Sequence, residues 1–337
     1  MLKLGAHMSI AGGVDKAILL GKKLGCEVVQ IFTKNSNQWS ARPLGEEEIA
    51  AFRANRVAFG MPVIAAHGSY LINLCSADIV LYRRSLEAFR HELERCEMLG
   101  IPYLIAHPGS HGGAGEKEAI ARLTAALEAV FERPAGCSVM VLLEITAGQG
   151  SSVGHRFEHL AEIIGRIREP RRLGVCFDTC HAHASGYDMR TEDGYSRTFE
   201  EFDRTVGIER IKAFHLNDCK KEVGCRIDRH WHIGRGFLGL EPFRLLMNDP
   251  RFDGLPAFLE TPKGPDYAED IRNLRALRRL AGDPVTKRVP RKLRLLPGSR
   301  VKAGSLARTA SASAPLGAFR AAATSRKDPG ALERKRG

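Results

Sequence analysis

Histidine closes five short apolar runs of this 337-residue chain: Gly5-Ala6-His7, Ala65-Ala66-His67, Ile105-Ala106-His107, Phe177-Asp178-Thr179-Cys180-His181 and Ala213-Phe214-His215. Two further runs close on a carboxylate, Leu142-Leu143-Glu144 and Phe258-Leu259-Glu260. Twelve histidines scattered at random would place about one at such positions. Imidazoles and carboxylates gathered in one place repel or desolvate one another unless a cation joins them, and the usual cation is a metal. His67, His107, His181, His215, Glu144, Asp178 and Glu260 are seven donors, whereas one catalytic zinc takes about three protein ligands. A local pattern, Arg226-Ile227-Asp228-Arg229-His230-Trp231-His232, adds two more. Asp228 and His230 are two apart, so in an extended segment they point to the same side. With His181 they complete another site and bring the donors to nine, three for each of three metals. Metals about 3.5–4 Å apart suit phosphodiester cleavage. Zinc fits such imidazole and carboxylate donors, and manganese is compatible with one position.

These donors meet only if the runs that carry them lie side by side. Short apolar runs at Leu2–His7, Val28–Lys34, Pro62–His67, Tyr103–His107, Val139–Thr146, Gly174–His181, Ile211–Asp218 and Pro256–Thr261 alternate with amphipathic segments near 14–25, 46–58, 78–99, 116–131, 156–168, 196–205, 241–249 and 266–281. The runs are apolar on both faces, as parallel strands covered by helices are. Eight β-then-α units in this length predict an α/β fold, a (β/α)8 TIM barrel, whose chemistry sits at the C-terminal ends of the strands. A doubly wound open sheet is the competing architecture, but Ala11-Gly12-Gly13 after the first run lacks the G-x-G-x-x-G spacing of a dinucleotide site.

Residues 1–282 form the predicted domain, and 283–337 read as a basic, disordered C-terminal tail rich in Ala, Ser, Pro and Gly. The chain has 51 Lys/Arg and 39 Asp/Glu; the tail takes 14 of the former and three of the latter, leaving a nearly neutral 37 against 36. The basic balance therefore belongs to the tail. Eight cysteines without a C-x-x-C pair read as reduced and buried. No apolar leader or 18-residue apolar stretch is found, so a cytoplasmic protein that avoids membranes is expected.

Other motifs carry less. Cys180 beside His181 reads as packing rather than a nucleophile. Gly148-Gln149-Gly150 is either a phosphate-facing loop or a plain turn. Trp39 and Trp231 fall in loops after the second and seventh runs, where they line a groove or cap a rim.

The series Gly5-Ala6-His7-Met8-Ser9, Phe32-Thr33-Lys34-Asn35, Tyr70-Leu71-Ile72-Asn73-Leu74, His107-Pro108-Gly109-Ser110-His111, Thr146-Ala147-Gly148-Gln149-Gly150, Asp178-Thr179-Cys180-His181-Ala182, His215-Leu216-Asn217-Asp218 and Asp228-Arg229-His230 resembles the endonuclease IV family of apurinic/apyrimidinic endonucleases over residues 1 to about 280. The resemblance implies a monomeric barrel with three zinc ions that cuts damaged double-stranded DNA 5′ to an abasic site. The products would be a 3′-hydroxyl and a 5′-deoxyribose phosphate, and blocked 3′ ends would also be trimmed. It implies His67, His107 and Glu144 on the first metal, and Asp178, His215 and Glu260 on the second with Glu144 bridging. His181, Asp228 and His230 would hold the third. A metal-bridging hydroxide near Glu144 would be the nucleophile, making Glu144 the catalytic residue. Tyr70 and Leu71 stand where the family fills the gap left by the flipped nucleotide. Asn37 stands where an Arg is common, and Ile145 where Asn usually follows the bridging Glu.

Two other readings remain: a metal-dependent sugar isomerase or epimerase on the same barrel, and a non-catalytic DNA-binding protein acting through its tail. Sugar isomerases use fewer, carboxylate-dominated ligands and need neither Asp228-Arg229-His230 nor the Tyr70 loop. Truncation after residue 282 is expected to weaken DNA binding uniformly across sequences and to flatten its dependence on salt; an unchanged slope in a salt titration would show the tail idle.

Overall fold

The computed structural model describes residues 1–61, 63–132 and 137–282. The tail expected over 283–337, and Pro62 of the third run, lie outside them. Eight parallel strands close a barrel: β1 (Lys3–His7), β2 (Val28–Phe32), β3 (Ile64–His67), β4 (Tyr103–Ala106), β5 (Met140–Glu144), β6 (Leu173–Asp178), β7 (Ile211–His215) and β10 (Pro256–Leu259), in that order around the wall, with β10 returning to β1. Helices α1 (Val14–Leu24), α2 (Glu46–Ala58), α3 (Ile79–Leu99), α4 (Glu116–Phe131), α5 (Phe157–Arg166), α7 (Glu192–Thr205), α8 (Glu241–Met247) and α9 (Ala268–Leu280) follow the strands. The main core lies between strands and helices; Phe157, Phe177, Phe199, Phe202 and Phe214 pack there, all fully buried. No helix among the described residues is long and apolar enough to cross a membrane.

Side chains alternate between this outer core and the barrel interior. Val28, Ala65, Ile105, Leu142, Cys176, Ala213 and Phe258 form a separate interior cluster, one from each of seven strands. The eighth strand brings Gly5, in register with Val28 and Phe258. A Cβ there would lie 1.7 Å from the Val28 carbonyl oxygen, so only glycine fits. Two residues further along each strand, the same face carries His7, Gln30, His67, His107, Glu144, Asp178, His215 and Glu260. One period of two thus turns an apolar plug into a polar ring.

Most strands stop a residue or two short of the predicted runs, and two runs pass into another element within the predicted span. Gly174–His181 divides at Asp178, whose Oδ1 accepts the His181 backbone N–H at 2.7 Å and starts a helix, α6 (Thr179–Ser185). This is N-capping, which sets the capping residue extended and the next residues helical. His181 therefore stands on a helix and not at a strand end. Ile211–Asp218 stops at His215; Asp218–Cys219 becomes β8, which pairs antiparallel with β9 (His230–Trp231). The helix expected over 196–205 starts earlier, at Glu192, because the Thr191 hydroxyl caps Gly194 at 3.1 Å.

The loops after β2 and β3 are held by one buried ion pair. Lys34 Nζ lies 2.8 Å from Glu92 Oε1 of α3, with both side chains almost wholly enclosed. The ammonium also donates to Gln38 O at 2.7 Å, and both Glu92 oxygens accept from Ser69 N–H at 3.2 Å. Ser69 Oγ in turn donates to Ser36 O at 2.5 Å. The segments bearing Asn37 and Tyr70 are thereby fastened to one helix. Removing one partner of such a pair strands a buried charge, so Glu92→Ala is expected to cost about 3–5 kcal/mol in urea unfolding. A loss under about 1 kcal/mol would show that the pair does not hold these loops.

Candidate metal centre

Glu144 sits at the end of β5 with no exposure, enclosed by imidazoles on both of its oxygens. Its Oε2 lies 3.0 Å from His67 Nε2 and 3.1 Å from His107 Nε2. Its Oε1 lies 2.9 Å from His215 Nδ1 and 3.2 Å from His181 Nδ1. Four imidazoles from β3, the residue after β4, α6 and β7 thus surround one carboxylate. Burial alone would raise the Glu144 carboxyl; His215 and His107 hold it well below the usual range instead.

A second focus forms above it. His181 Nε2 approaches Asp228 Oδ2 at 3.2 Å and His230 Nε2 at 3.2 Å, and His230 Nε2 lies 3.4 Å from Asp228 Oδ1. Asp178 Oδ2 bridges the two regions, 3.7 Å from His215 Nδ1 and 3.6 Å from His230 Nε2. Burial would lower the His181 imidazolium, but Asp178 and Asp228 raise it well above its ordinary value. All nine donors read from the sequence come together. The ligand atoms of His67, His107 and Glu144 lie within 4.8 Å of one another, as do those of Glu144, Asp178, His215 and Glu260, and those of Asp178, His181 and His230.

Hydrogen bonds on the far side of the rings test whether a metal suits these groups. His67 Nδ1 donates to Gly68 O at 2.8 Å, His181 Nδ1 to Ile145 O at 2.9 Å and His230 Nδ1 to Glu260 O at 3.3 Å. A neutral ring that donates from one nitrogen presents a bare lone pair at the other. In all three, that lone pair faces carboxylate oxygens, and in His181 and His230 the two Nε2 atoms also face each other. Lone pairs aimed at anions repel unless a cation sits between them, and a carbonyl behind the ring is how metal-binding histidines are oriented. The donor set fits metal ions.

Supporting groups escape a reading based on donor type alone. Asn217 Nδ2 donates to Asp178 Oδ2 at 2.7 Å while its Oδ1 accepts Glu260 N–H at 2.8 Å. Gln149 Oε1 accepts Asp228 N–H at 2.9 Å, so the Gly148-Gln149-Gly150 loop steadies the Asp228 segment. Both lie inside motifs visible in the sequence, but only the contact reveals their task. Ile145 acts through its carbonyl, and its side chain is packed in the core. Cys180 is buried; burial, then Cys219 and Asp178, push its thiol well above the ordinary value, and its sulfur lies within 4.8 Å of ligand atoms of Asp228 and His230. All eight cysteines are free, and six are buried as expected, while Cys137 and Cys225 are only half-buried.

At the rim, Tyr70 is 59% exposed, with its ring 5.5 Å from Phe32 and 6.2 Å from His67. Leu71 beside it is half-buried, and Asn37 across the loop is exposed. Trp39 stacks under the Arg84 guanidinium at 4.4 Å on the flank, and Trp231 under Lys220 at 4.3 Å on the β8–β9 hairpin. Glu116, His155 and His159 form a separate grouping. There Arg156 already supplies the cation, 2.9 Å from Glu116 Oε2.

Comparison with known proteins agrees with this architecture. Residues 18–277 match the family described as the xylose isomerase-like TIM barrel. The chain is 52% identical over 280 residues to the "Probable endonuclease 4" of Chloroflexus aggregans, covering 83% of this chain and 98% of that one. It is 52% identical over 284 residues to the protein of the same name from Geobacter sulfurreducens, covering 84% and 96%. The crystal structure of endonuclease IV from Thermus thermophilus superposes with a TM-score of 0.73 at 38% identity, covering 83% of this chain and 99% of that one. With half its residues shared along nearly the full length of such relatives, and the same closed barrel, the chain belongs to the endonuclease IV family.

Proposed function

We propose that this protein is an apurinic/apyrimidinic endonuclease that hydrolyses the phosphodiester 5′ to an abasic site in duplex DNA. The products are a 3′-hydroxyl and a 5′-deoxyribose phosphate, and blocked 3′ ends are trimmed by the same chemistry. The observation that carries this reading is the gathering of three donor groups around Glu144 and Asp178 in one open mouth. His67, His107 and Glu144 would hold one zinc; Glu144, Asp178, His215 and Glu260 a second; His181, Asp228 and His230 a third, with manganese compatible at one position. When bound, such ions make water acidic enough to yield a nucleophile at neutral pH and offset charge on the phosphate and the departing 3′ oxygen.

The protein's own groups set the geometry. Glu144 turns one oxygen to the His67–His107 side and the other to the His181–His215 side, so a phosphate approaching the mouth meets both halves at once. The β8–β9 hairpin carries His230 over that mouth, and Gln149 holds Asp228 beside it. Tyr70 is braced from below by Phe32 and His67, which leaves its exposed face free to stack on bases next to a lesion. Leu71 is an apolar wedge for the space an extruded nucleotide vacates, which is less costly to open where a base is already missing. Asn37, fastened near Tyr70 through Ser36 and Ser69, contributes no positive charge to the DNA backbone.

The group formed by His181, Asp228 and His230, together with the exposed Tyr70, disfavours a sugar isomerase, which needs neither. A duplex carrying one tetrahydrofuran abasic analogue, with an undamaged duplex as control, tests the reading. Cleavage 5′ to the analogue by a preparation holding about three metals per chain is expected. Full metal loading with no cleavage would overturn the assignment in favour of sugar chemistry. Glu144→Gln is expected to abolish incision while the protein stays folded by circular dichroism; near-native incision would remove Glu144 from the catalytic role.

A further inference from the structure

The interior polar ring includes one residue that is neither an acid nor an imidazole. Gln30 of β2 is fully buried, and β2 supplies none of the nine donors. Its amide makes three contacts: Nε2 to Glu260 Oε1 at 2.6 Å, Nε2 to His7 Nδ1 at 2.9 Å, and Oε1 to His215 Nε2 at 2.7 Å. The orientation of the amide follows from chemistry. An ionised carboxylate only accepts, so the NH2 group must face Glu260. Its second hydrogen then serves His7, and the carbonyl oxygen is left for His215. That oxygen cannot donate, so His215 Nε2 must carry a ring proton, and in the neutral ring that a metal requires Nδ1 is the bare lone pair.

His215 Nδ1 lies 2.9 Å from Glu144 Oε1, 3.4 Å from Glu260 Oε2 and 3.7 Å from Asp178 Oδ2. Gln30 therefore acts on two members of this group at once. It sets which nitrogen of His215 is free, and it ties down Oε1 of Glu260 so that Oε2 points to the shared position. His67, His181 and His230 obtain the same service from backbone carbonyls, which no side-chain substitution removes. His215 obtains it from a side chain.

We propose that Gln30 is a positioning residue for one metal position, the one made by Glu144, Asp178, His215 and Glu260. The inference rests on the proposed function's assignment of that position. Partners behind a ligand of this kind typically change metal affinity by about 10–100-fold. Loss of Gln30 should therefore loosen one ion of three and leave the other two as they are.

The test is zinc release from the full-length zinc-loaded protein to a chromophoric chelator, for wild type and Gln30→Leu, which keeps the bulk of the side chain and removes both polar atoms. Wild type should release three equivalents slowly. In Gln30→Leu one equivalent should leave about 10–100-fold faster, the other two at the wild-type rate, and incision should recover when free zinc is raised. A folded Gln30→Leu that releases all three at wild-type rates would overturn the inference and leave the functional reading intact. Wild type that binds no zinc would overturn both. Gln30→Glu covers the case in which Gln30→Leu fails to fold: it keeps the size and the acceptor for His215 but sets an oxygen against Glu260. It should also loosen one equivalent, and three tightly held equivalents in this variant would overturn the inference.

Discussion

A carboxylate with no exposure, encircled by four imidazoles at 2.9–3.2 Å, is the constraint on which this structure turns. Burying Glu144 would be prohibitive without positive charge beside it, because an isolated ion in a poorly polarisable interior loses far more hydration than packing returns. The surrounding rings do not relieve the problem as neutral groups, since those held from behind by carbonyls aim lone pairs at the anions. Either protons or metal ions must fill the space. With protons there, the anions draw them onto the rings, which is the sense of the raised His181 and depressed Glu144 values. Metal ions there would supply the positive charge without protonating the rings.

The barrel delivers these groups through a simple periodicity. Interior residues of the strands form an apolar plug and, two residues on, the polar ring. The plug keeps water from beneath the ring, and Gly5 lets the first two strands approach closely enough to close the wall. Outside this frame, the Lys34–Glu92 pair fastens the two rim loops that carry Asn37 and Tyr70 to helix α3. Rigid wall, polar ring and clamped rim are thus separate devices with separate chemical causes.

Much of this is legible in the residues. Histidines and carboxylates at the ends of apolar runs mark the ring, because a strand's inward face alternates and its last inward residue borders the mouth. Gly174–His181 misleads in one respect: its apolar character continues through Cys180, while the structure bends at Asp178 because a carboxylate there can cap a helix. Likewise Asp218 and Cys219 look like a strand's continuation but pair with His230 and Trp231 after a turn back. Gln30 gives no signal of its own, for it lies inside its strand and is uncharged; β2 continues to Phe32, which stands beside His67 in register. The tasks of Asn217 and Gln149 depend on partners 39 and 79 positions away, which no local pattern encodes.

The most direct measurement of the central claim is anomalous diffraction at the zinc edge from crystals of the protein purified without chelator. The account predicts three peaks in the mouth of the barrel: one among His67, His107 and Glu144, one among Glu144, Asp178, His215 and Glu260, and one among His181, Asp228 and His230. An absence of peaks around Glu144, with the imidazoles in direct hydrogen bonds to its oxygens, would contradict it.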